Sequence, residues 1–368
     1  MLHSHIYQSA HQLMLQRLFA RTALPITLAV TMACQSEKSK NESPDTATDS
    51  SAAVSAATTP QTSPVAVIFD TDCGPDYDDV GALAVLHALA DKGEASILGM
   101  ASSNLHPLVV PTVDVINTYF GRPDIIIGAP KTKGVNLEAW QHWPDSLVAK
   151  YPHKVKSTAE APDAVAVYRK ILAAQPDTSV IIVTVGFLTN LRNLLESKAD
   201  ASSELDGKEL VRRKVRQWVS MGGKFPEGKE FNIEKDAASS QIAIDNWPTP
   251  ILFSGFEIGE KVKTGLRLVK EGAKDSPVRH TFAINIPMAK EDKDGRMSWD
   301  QTAVLVAIRG AAPYYDVQKG KFITQADGRN GWQADPNGPH SRLIQKMPPD
   351  SVAQVIETLM LHQPQKQM

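Results

Sequence analysis

The order of apolar and polar positions divides this chain into a polar N-terminal part and a long region of alternating strands and helices. From Val65 onward, short runs of aliphatic residues, such as 65–69 and 180–183, alternate with longer amphipathic segments, such as 80–91 and 163–175. Short apolar runs are typical of buried strands, and longer amphipathic segments are typical of helices. Their alternation predicts parallel strands joined by helices. We therefore expect an α/β fold over residues 65–368: one domain with an open, mostly parallel, Rossmann-like sheet flanked by helices.

The predicted elements place polar residues at one edge of this sheet. The predicted strands cover residues 65–70, 95–103, 124–129, 179–186, 215–223 and 249–255, and the predicted helices cover residues 80–91, 110–120, 163–175, 188–197 and 236–246. Ligands of open parallel sheets bind at the carboxyl ends of the strands. The polar positions that follow the strands are therefore candidates for a site: residues 70–79, 102–104, 185–190 and those from Met221 onward.

The first 34 residues have the layout of a secretion signal. Arg17 and Arg21 precede a short apolar stretch, and small residues surround Ala33. The apolar stretch is too short for a convincing membrane span, which needs about 20 residues. Cys34 directly after Ala33 predicts a bacterial lipoprotein signal with Cys34 as the lipidated residue; ordinary secretion is the alternative. Met14 begins a signal of normal shape by itself, so either Met1 or Met14 is the start.

Residues 35–64 form the predicted connection between this signal and the domain. They are rich in Ser, Thr, Ala and Pro and contain almost no large apolar residues, so we expect a disordered tether. The predicted location is the bacterial cell envelope, with the membrane contacted only through the lipid anchor. If Cys34 is lipidated, Cys73 is the one cysteine left, and no intrachain disulfide can form.

Composition excludes some classes of partner. The net charge is −2 and only 6% of the residues are aromatic, without a basic block among them. A nucleic acid polymer is therefore not an expected partner.

Five aspartates crowd the first strand-to-helix turn, in the segment DTDCGPDYDD of residues 70–79. Carboxylates this close repel one another, and a divalent cation such as Ca²⁺ is the simplest compensation. An EF-hand loop is excluded because Gly74 and Gly81 stand where acidic ligands are required, and Gly74 also excludes an aspartate-nucleophile phosphatase. Helix capping explains Asp78 or Asp79 but not five aspartates.

This turn resembles the opening signature of the inosine-uridine preferring nucleoside hydrolases, in the variant Asp-Thr-Asp-x-Gly-x-Asp-x-Asp-Asp. Further segments resemble the family in the same order: MASSNLHP (100–107), YFGRPDIIIGAP (119–130), VTVGFLTNL (183–191), WVSMGGKF (218–225), EFNIEKDAAS (230–239) and SWDQTAVLVAIRG (298–310). The resemblance implies hydrolysis of the N-glycosidic bond of ribonucleosides, and hence a role in purine or pyrimidine nucleoside catabolism.

The resemblance also implies roles for individual residues. Asp72, Asp79, the carbonyl of Val185 and Asp300 are the implied calcium ligands, with Asp72 as the base that activates a metal-bound water. The implied ribose contacts are Asp78, Asn104, Glu230 and Asn232. Asp70 is implied either as a ligand or as a support for its neighbours, and Asp76 lies in a two-residue insertion without an assigned role.

Each matched residue has an alternative structural role. Asn104 suits a turn at a strand end, and Glu230 and Asn232 suit a solvated loop. Asp300 suits a helix N-cap, Trp299 suits a packing residue, and Cys73 suits a small packing residue rather than a reactive thiol.

Trp299 is the main departure from the family. Well-known members have a histidine here that protonates the leaving base, whereas an indole donates a hydrogen bond without acting as an acid at neutral pH. We therefore expect Trp299 to stack on a base. His106, His142 and His340 are candidate substitutes, each of which suits a surface position equally well.

The expected function is calcium-dependent hydrolysis of a ribonucleoside or a related ribosyl compound. The alternatives are a hydrolase of another glycoside and a ribose-binding or nucleoside-binding lipoprotein without catalysis. Residues 327–343 are expected to form a lid in which Trp332 offers a stacking surface. A homo-oligomer is a further possibility that family members suggest.

Overall fold

The computed structural model describes residues 63–364. The predicted signal, Cys34 and nearly all of the predicted tether lie outside this range. Within it the strands are β1 Val65–Thr71, β2 Ala95–Ser102, β3 Ile127–Gly128, β4 Val180–Thr184, β5 Val215–Met221, β6 Glu227–Lys229, β7 Ile251–Ser254, β8 Lys263–Thr264, β9 Arg296–Met297, β10 Tyr315–Thr324, β11 Arg329–Ala334 and β12 His340–Gln345.

The helices connect these strands and cover the sheet. They are α1 Asp78–Asp91, α2 Val109–Tyr119, α3 Trp143–Lys150, α4 Ala164–Ala173, α5 Thr189–Glu196, α6 Gly207–Lys214, α7 Phe231–Lys235, α8 Ala237–Asn246, α9 Phe256–Gly259, α10 Leu266–Glu271, α11 Pro277–Asn285, α12 Trp299–Arg309 and α13 Pro349–Met360. None of the helices within residues 63–364 combines the length and the apolar character needed to cross a membrane.

Ten of the strands form one sheet in the order β3-β2-β1-β4-β5-β7-β12-β10-β11-β6. Neighbours from β3 through β12 are parallel, and β10, β11 and β6 add antiparallel pairs at one side. The prediction of an α/β domain with an open, mostly parallel sheet is therefore confirmed. The separate pair β8 and β9 is antiparallel.

The prediction that residues 327–343 form a lid is wrong, because most of this segment belongs to β11 and β12. Trp332 pairs with Phe322 across the antiparallel strands. Its ring meets the ring of Phe225 edge-to-face at 5.3 Å. Trp332 thus packs on the sheet and does not line the cavity described below.

The core has two parts, one on each face of the sheet. Val67 and Phe69 of β1 belong to the part that includes α1, α12 and α13, whereas Ile68 belongs to the part beneath α4, α5 and α8. This alternation follows from the two-residue period of a strand. Helix α1 is buried from Asp78 to Leu89 because its own apolar residues occupy all of its faces. The start of α1 is therefore fixed in the interior.

The order of the strands determines where a ligand can bind. The chain runs from β1 outward through β2 and β3 and then returns to β4 on the other side of β1. Such a reversal opens a crevice at the carboxyl ends of the two strands. The backbone N–H of Val185 donates to the carbonyl of Asp70 at 2.8 Å, so the ends of β1 and β4 are held side by side.

We expect His87, inside α1, to make the fold sensitive to mild acid. Its Nε2 lies 2.8 Å from Asn117 Oδ1, its ring stacks on Phe120 at 4.7 Å, and burial lowers its pKa to about 3. An unfolded histidine takes up a proton near pH 6.5. The unfolded state therefore binds more protons between about pH 6.5 and 3, so stability falls as the pH falls through this window, by up to about 1.4 kcal/mol per pH unit.

The measurement is urea-induced unfolding at pH 6.5 and pH 5.0 for the wild type and His87→Gln. The wild type should lose about 2 kcal/mol more than the variant over this interval. His142→Gln is the control, because the His142 side chain is 64% exposed. Equal losses in the wild type and His87→Gln would contradict the role assigned to His87.

Candidate active site

A cavity of about 290 Å³ opens at the carboxyl ends of β1, β4 and β5. Five of the lining residues are acidic and are called the acidic wall below, and four are aromatic and are called the aromatic wall. The lining consists of Asp72, Pro75, Asp76, Asp78, Trp140, Val185, Met221, Glu230, Phe231, Asn232, Phe256, Arg296, Trp299 and Asp300. The structure thus brings together seven of the predicted site residues, which are Asp72, Asp78, Val185, Glu230, Asn232, Trp299 and Asp300. Asp79 and Asn104 are not part of the lining.

Asp72 directly follows β1 and lies close to Gly186, which follows β4. A Cβ at Gly186 would come within 2.5 Å of the backbone nitrogen of Asp72, so only glycine permits this approach. The Asp72 side chain is 4% exposed. Burial raises its pKa well above the usual value, and the charges of Asp79 and Asp76 raise it further. Asp72 is therefore a carboxyl group whose ionised form requires positive charge nearby.

Asp79 lies beneath Asp72 in the first turn of α1. Its Oδ1 accepts hydrogen bonds from the Thr71 hydroxyl and, at 3.1 Å, from the Cys73 backbone N–H. Its Oδ2 is buried without a hydrogen-bond partner. Burial raises the pKa of Asp79 to about 7. One oxygen is thus held by the turn, and the other is free to bind a cation.

Arg296, which the sequence analysis missed, supplies positive charge to this wall. Its Nη2 lies 2.5 Å from Asp76 Oδ2 and 3.0 Å from Asp78 Oδ1, and its Nη1 lies 3.7 Å from Asp292 Oδ1. The guanidinium is 5.0 Å from the Tyr77 ring centre. Asp76, which had no assigned role, is therefore an ion-pair partner of Arg296.

Asp78 is held from two sides at the cavity wall. Arg296 binds its Oδ1, and the backbone N–H of Asp300 donates to its Oδ2 at 3.3 Å. Burial raises the pKa of Asp78, and Arg296 opposes this effect. A carboxylate offers about four acceptor positions. Asp78 therefore retains the capacity to accept a hydrogen bond from a ligand.

Asp300 and Trp299 begin helix α12. The alternative that Asp300 is an N-cap is wrong, because Ser298 occupies the N-cap position and Asp300 lies in the first turn. The Trp299 indole Nε1–H donates to the Phe256 carbonyl at 2.8 Å, and the two rings are 5.2 Å apart. Trp299 thus presents its ring to the cavity while its N–H is engaged elsewhere.

Glu230 and Asn232 lie at the start of α7 and are buried, with exposures of 3% and 6%. The alternative that they lie in a solvated loop is therefore wrong. Glu230 Oε1 accepts from the Asn232 backbone N–H at 2.8 Å, and its Oε2 accepts from Gly223 at 3.1 Å. Burial raises the pKa of Glu230 to about 7. The Asn232 amide Nδ2 donates to the Val185 carbonyl at 3.2 Å, which links α7 to the end of β4.

Two residues of the predicted constellation lie behind the cavity. The Asn104 amide Nδ2 donates to the carbonyls of Asp72 and Leu137, at 3.1 and 2.9 Å, so Asn104 connects two loops. Asp70 Oδ2 accepts from the Tyr168 hydroxyl at 2.8 Å and from Asn190 Nδ2 at 3.0 Å. In this structure both residues support the site from outside the lining, and a ribose contact by Asn104 stays a prediction.

The three candidate histidines also lie outside the lining. His142 is an exposed residue 3.0 Å from Glu138, and His340 Nδ1 accepts from the Phe322 backbone N–H at 3.0 Å. His106 is half-buried in the loop that follows β2. Cys73 is buried, and burial together with nearby Asp79 raises the pKa of its thiol. Cys73 is therefore a packing residue whose thiol stays protonated.

The oxygen donors at the cavity fit a hard cation. Asp72, Val185 and Asp300 line the cavity, and the buried Oδ2 of Asp79 lacks a partner. Between residues 63 and 364, no group of three or more His, Cys, Asp or Glu side chains is placed so that these side chains alone could hold a metal ion. Ca²⁺ takes six to eight oxygens, including backbone carbonyls and water. The residues present therefore suit a cation whose remaining ligands are water and substrate.

Comparisons with known proteins agree with this geometry. The family model of the inosine-uridine preferring nucleoside hydrolases matches residues 67–345. No curated protein sequence matches the chain. Among solved structures, a plant nucleoside hydrolase is similar at 20% identity and a TM-score of 0.59, over 81% of this chain and 98% of the other.

Two further structures are similar in fold. The inosine-uridine preferring nucleoside hydrolase from Bacillus anthracis has 16% identity and a TM-score of 0.60, over 80% of this chain and 98% of the other. The type III effector protein XopQ, complexed with adenosine diphosphate ribose, has 14% identity and a TM-score of 0.60, over 81% of this chain and 92% of the other.

We expect Arg296→Gln to destabilise the domain strongly. The substitution leaves the buried carboxylates Asp78 and Asp292 without their cation, and breaking a buried ion pair costs about 3–5 kcal/mol. Arg267→Gln is the matched control, because both side chains of the Arg267–Glu271 pair are 46% exposed. Loss of such an exposed pair costs about 1 kcal/mol or less. Chemical denaturation measures both, and equal small losses would show that Arg296 does not stabilise the acidic wall.

Proposed function

We propose that this chain, which belongs to the inosine-uridine preferring nucleoside hydrolase family and is a hydrolase of N-glycosyl compounds, uses Ca²⁺ to release ribose at the acidic cavity. The observation that carries the proposal is the wall formed by Asp72, Asp78 and Asp300 at the carboxyl ends of β1 and β4, with the free Asp79 Oδ2 beneath it. The substrate is a ribonucleoside or a related ribosyl compound. The bound adenosine diphosphate ribose of XopQ shows that a protein of this fold accommodates a ribosyl group in a larger molecule.

Asp72, Asp79, Asp300 and the Val185 carbonyl would hold the calcium ion. The carbonyl already accepts one hydrogen bond from Asn232 Nδ2, and a carbonyl oxygen has a second lone pair for a cation. When bound, Ca²⁺ supplies charge that offsets the carboxylate repulsion and a centre that orients water and hydroxyl groups. Its presence would lower the raised pKa values of these carboxyl groups.

The protein groups perform the remaining steps. Asp72 accepts the proton of the attacking water, since its carboxylate is the one that faces the cavity beside β4. Asp78 and Glu230 accept hydrogen bonds from the ribose hydroxyls, and Asn232 orients them. As the C1′–N bond breaks, positive charge develops on the sugar, and the acidic wall stabilises it. The fixed positions of Asp78 and Glu230 mean that little reorganisation accompanies this change.

We expect ribose release to depend on calcium and on Asp72. A chelator removes the cation, and Asp72→Asn removes both the base and a cation ligand, so each should lower the rate by at least about 100-fold. Asp79→Asn should weaken Ca²⁺ binding measured by calorimetry, independently of turnover. Asp124→Asn is the control, because its side chain is 88% exposed.

Ribose release that persists in chelator would show that the reaction proceeds without the cation. Calcium-dependent binding of ribose without release from any nucleoside would favour the alternative of a non-catalytic binding protein. Release from another glycoside alone would favour the other alternative, a hydrolase of a different glycosidic bond.

We also propose that the domain works in the bacterial cell envelope, anchored through a lipid on Cys34. The support is the order of arginines, apolar stretch and cysteine in residues 17–34. Mass spectrometry of the mature N-terminal peptide should show a lipidated Cys34 as the first residue. An unmodified peptide that extends across Cys34 would exclude the anchor.

A further inference from the structure

Glu230 is held by hydrogen bonds from its own helix and from one residue outside it. Its carboxylate caps α7 by accepting from the backbone N–H groups of Asn232 and Ile233, at 2.8 and 3.2 Å, as an N-cap residue does. A third donor is the backbone N–H of Gly223, 3.1 Å from Glu230 Oε2. A carboxylate has about four acceptor positions, so Glu230 keeps one for a ligand. The position of Glu230 relative to the strand ends therefore depends on Gly223.

Gly223 lies in the turn between β5 and β6, which covers residues 222–226. Its φ is +81°, and a Cβ there would lie 2.6 Å from the Phe322 ring of β10. The next residue, Lys224, pairs with β11: its backbone N–H donates to Asn330 Oδ1, and its carbonyl accepts from Asn330 Nδ2, both at 2.8 Å. Asn330 is buried, and a buried backbone group without a partner is costly. Loss of this side chain would therefore displace the turn.

The hairpin formed by β10 and β11 contacts the chain on both sides of Glu230. Strand β6, which ends directly before Glu230, is antiparallel to β11, with Gly228 opposite Asn330. At the tip of the hairpin, a Cβ at Gly328 would lie 2.7 Å from the Cα of Glu234 in α7. None of the described lining residues belongs to β10 or β11. The β10–β11 hairpin therefore contacts both flanks of Glu230 from outside the cavity.

The proposed calcium ligands belong to other elements, at the ends of β1 and β4 and at the starts of α1 and α12. They are Asp72, Asp79, Val185 and Asp300. The side-chain hydrogen bonds of Asn330 go to Lys224, and none of them goes to these ligands. A change at the hairpin should therefore move Glu230 without removing a cation ligand. Binding of the sugar and binding of Ca²⁺ can then be measured separately.

We propose that the β10–β11 hairpin positions Glu230 for the sugar, with Asn330 as the positioning residue. Asn330 fixes the turn that contains Gly223, and the Gly223 N–H directs Glu230 so that its remaining acceptor position meets a ribose hydroxyl. Asn330 itself does not touch the substrate. The inference rests on the proposed function, in which Glu230 accepts a hydrogen bond from the sugar. It assigns part of sugar binding to a strand that is far away in sequence.

The test is Asn330→Ala in the full chain, with Ca²⁺ and a nucleoside that the wild type hydrolyses, chosen from inosine, adenosine, uridine and cytidine. KM should rise about tenfold with kcat nearly unchanged, because the contact with the hydroxyl group already exists in the bound substrate. The Ca²⁺ dissociation constant, measured by calorimetry, should stay within about threefold of the wild type.

Three results would overturn the proposal while leaving nucleoside hydrolysis intact. They are a rise in KM of less than about threefold, a loss confined to kcat, and a loss of Ca²⁺ affinity as large as the rise in KM. Absence of ribose release by the wild type from every nucleoside would overturn the proposed function as well.

Two comparisons show whether the effect passes through Glu230. Thr324→Val is the matched control in the same hairpin, because it removes the hydrogen bond from Thr324 Oγ1 to Asp245, at 3.0 Å, and leaves the turn intact. Its KM should equal that of the wild type. In a Glu230→Ala background, Asn330→Ala should change KM by less than about twofold, since a residue that acts through Glu230 has no effect once that side chain is absent.

The dissociation constant of ribose with Ca²⁺ replaces KM if turnover in the Glu230→Ala background is too slow to measure. A rise of about tenfold in Thr324→Val, or from Asn330→Ala in that background, would show that these changes act on the whole domain and not through Glu230. Either result would overturn the proposal.

A substitution at the tip of the hairpin gives an independent test, which decides the matter if Asn330→Ala does not fold. Gly328→Ala places a Cβ 2.7 Å from the Cα of Glu234 and should push the tip away from α7, so KM rises while Ca²⁺ affinity is kept. Gly310→Ala is the matched control. The φ angles of Gly328 and Gly310 are +81° and +79°, but no atom of the described residues beyond its chain neighbours lies within 4 Å of a Cβ at Gly310. Equal KM values for the two alanine variants would overturn the role of the hairpin.

Discussion

Repulsion among buried carboxylates is the constraint on which this structure depends. The turn after β1 places Asp72, Asp78 and Asp79 in the interior, and the start of α12 adds Asp300. Burial and mutual repulsion raise the pKa of each of them. An arrangement of this kind costs stability unless positive charge compensates it. Among the described residues that line the cavity, Arg296 is the one that provides such charge.

Arg296 divides the acidic wall into two parts. Asp76 and Asp78 lie within ion-pair distance of the guanidinium, whereas Asp79 Oδ2 has no partner. The neutralised part fixes the position of Asp78 for hydrogen bonding to a sugar. The uncompensated part contains Asp72 and Asp79, and a divalent cation would reduce the carboxylate repulsion most strongly there. One arginine thus separates positioning of the substrate from binding of the proposed metal.

Much of the fold was predictable because each βαβ unit carries its own periodic pattern. The segments 65–70 and 80–91, for example, became β1 and α1 with boundaries shifted by only one or two residues. The strands β10 to β12 were missed, because residues 315–345 combine Gly, Asn and Pro with few apolar positions. Their place in the sheet depends on contacts with β7, far away in sequence. The local pattern of apolar and polar residues does not indicate which distant strand a segment pairs with.

The candidate site was predictable where its residues lie in segments that resemble the family and unpredictable where a single residue acted alone. Asp72, Val185 and Asp300 follow recognisable segments and meet at one cavity. Arg296 lies on a two-residue strand without a pattern, and its only signal was the need of five nearby aspartates for positive charge. Asn104 was assigned to ribose, but its amide is used within the protein by the carbonyls of Asp72 and Leu137. The sequence shows which polar residues are present. The folded structure determines which of their hydrogen-bonding groups are already paired within the protein and which remain available to a ligand.

Asp76 and Tyr77, for which the sequence indicated no role, both contact Arg296. Tyr77 places its ring 5.0 Å from the guanidinium of Arg296, and its hydroxyl donates to Asp292 Oδ2 at 2.6 Å. Asp76 closes the ion pair from the cavity side. Asp76 and Tyr77 therefore enclose the guanidinium of Arg296 at the turn after β1. With Arg296 held in this way, the guanidinium also lies against the Trp299 ring, so the acidic wall and the aromatic wall meet at a single cation.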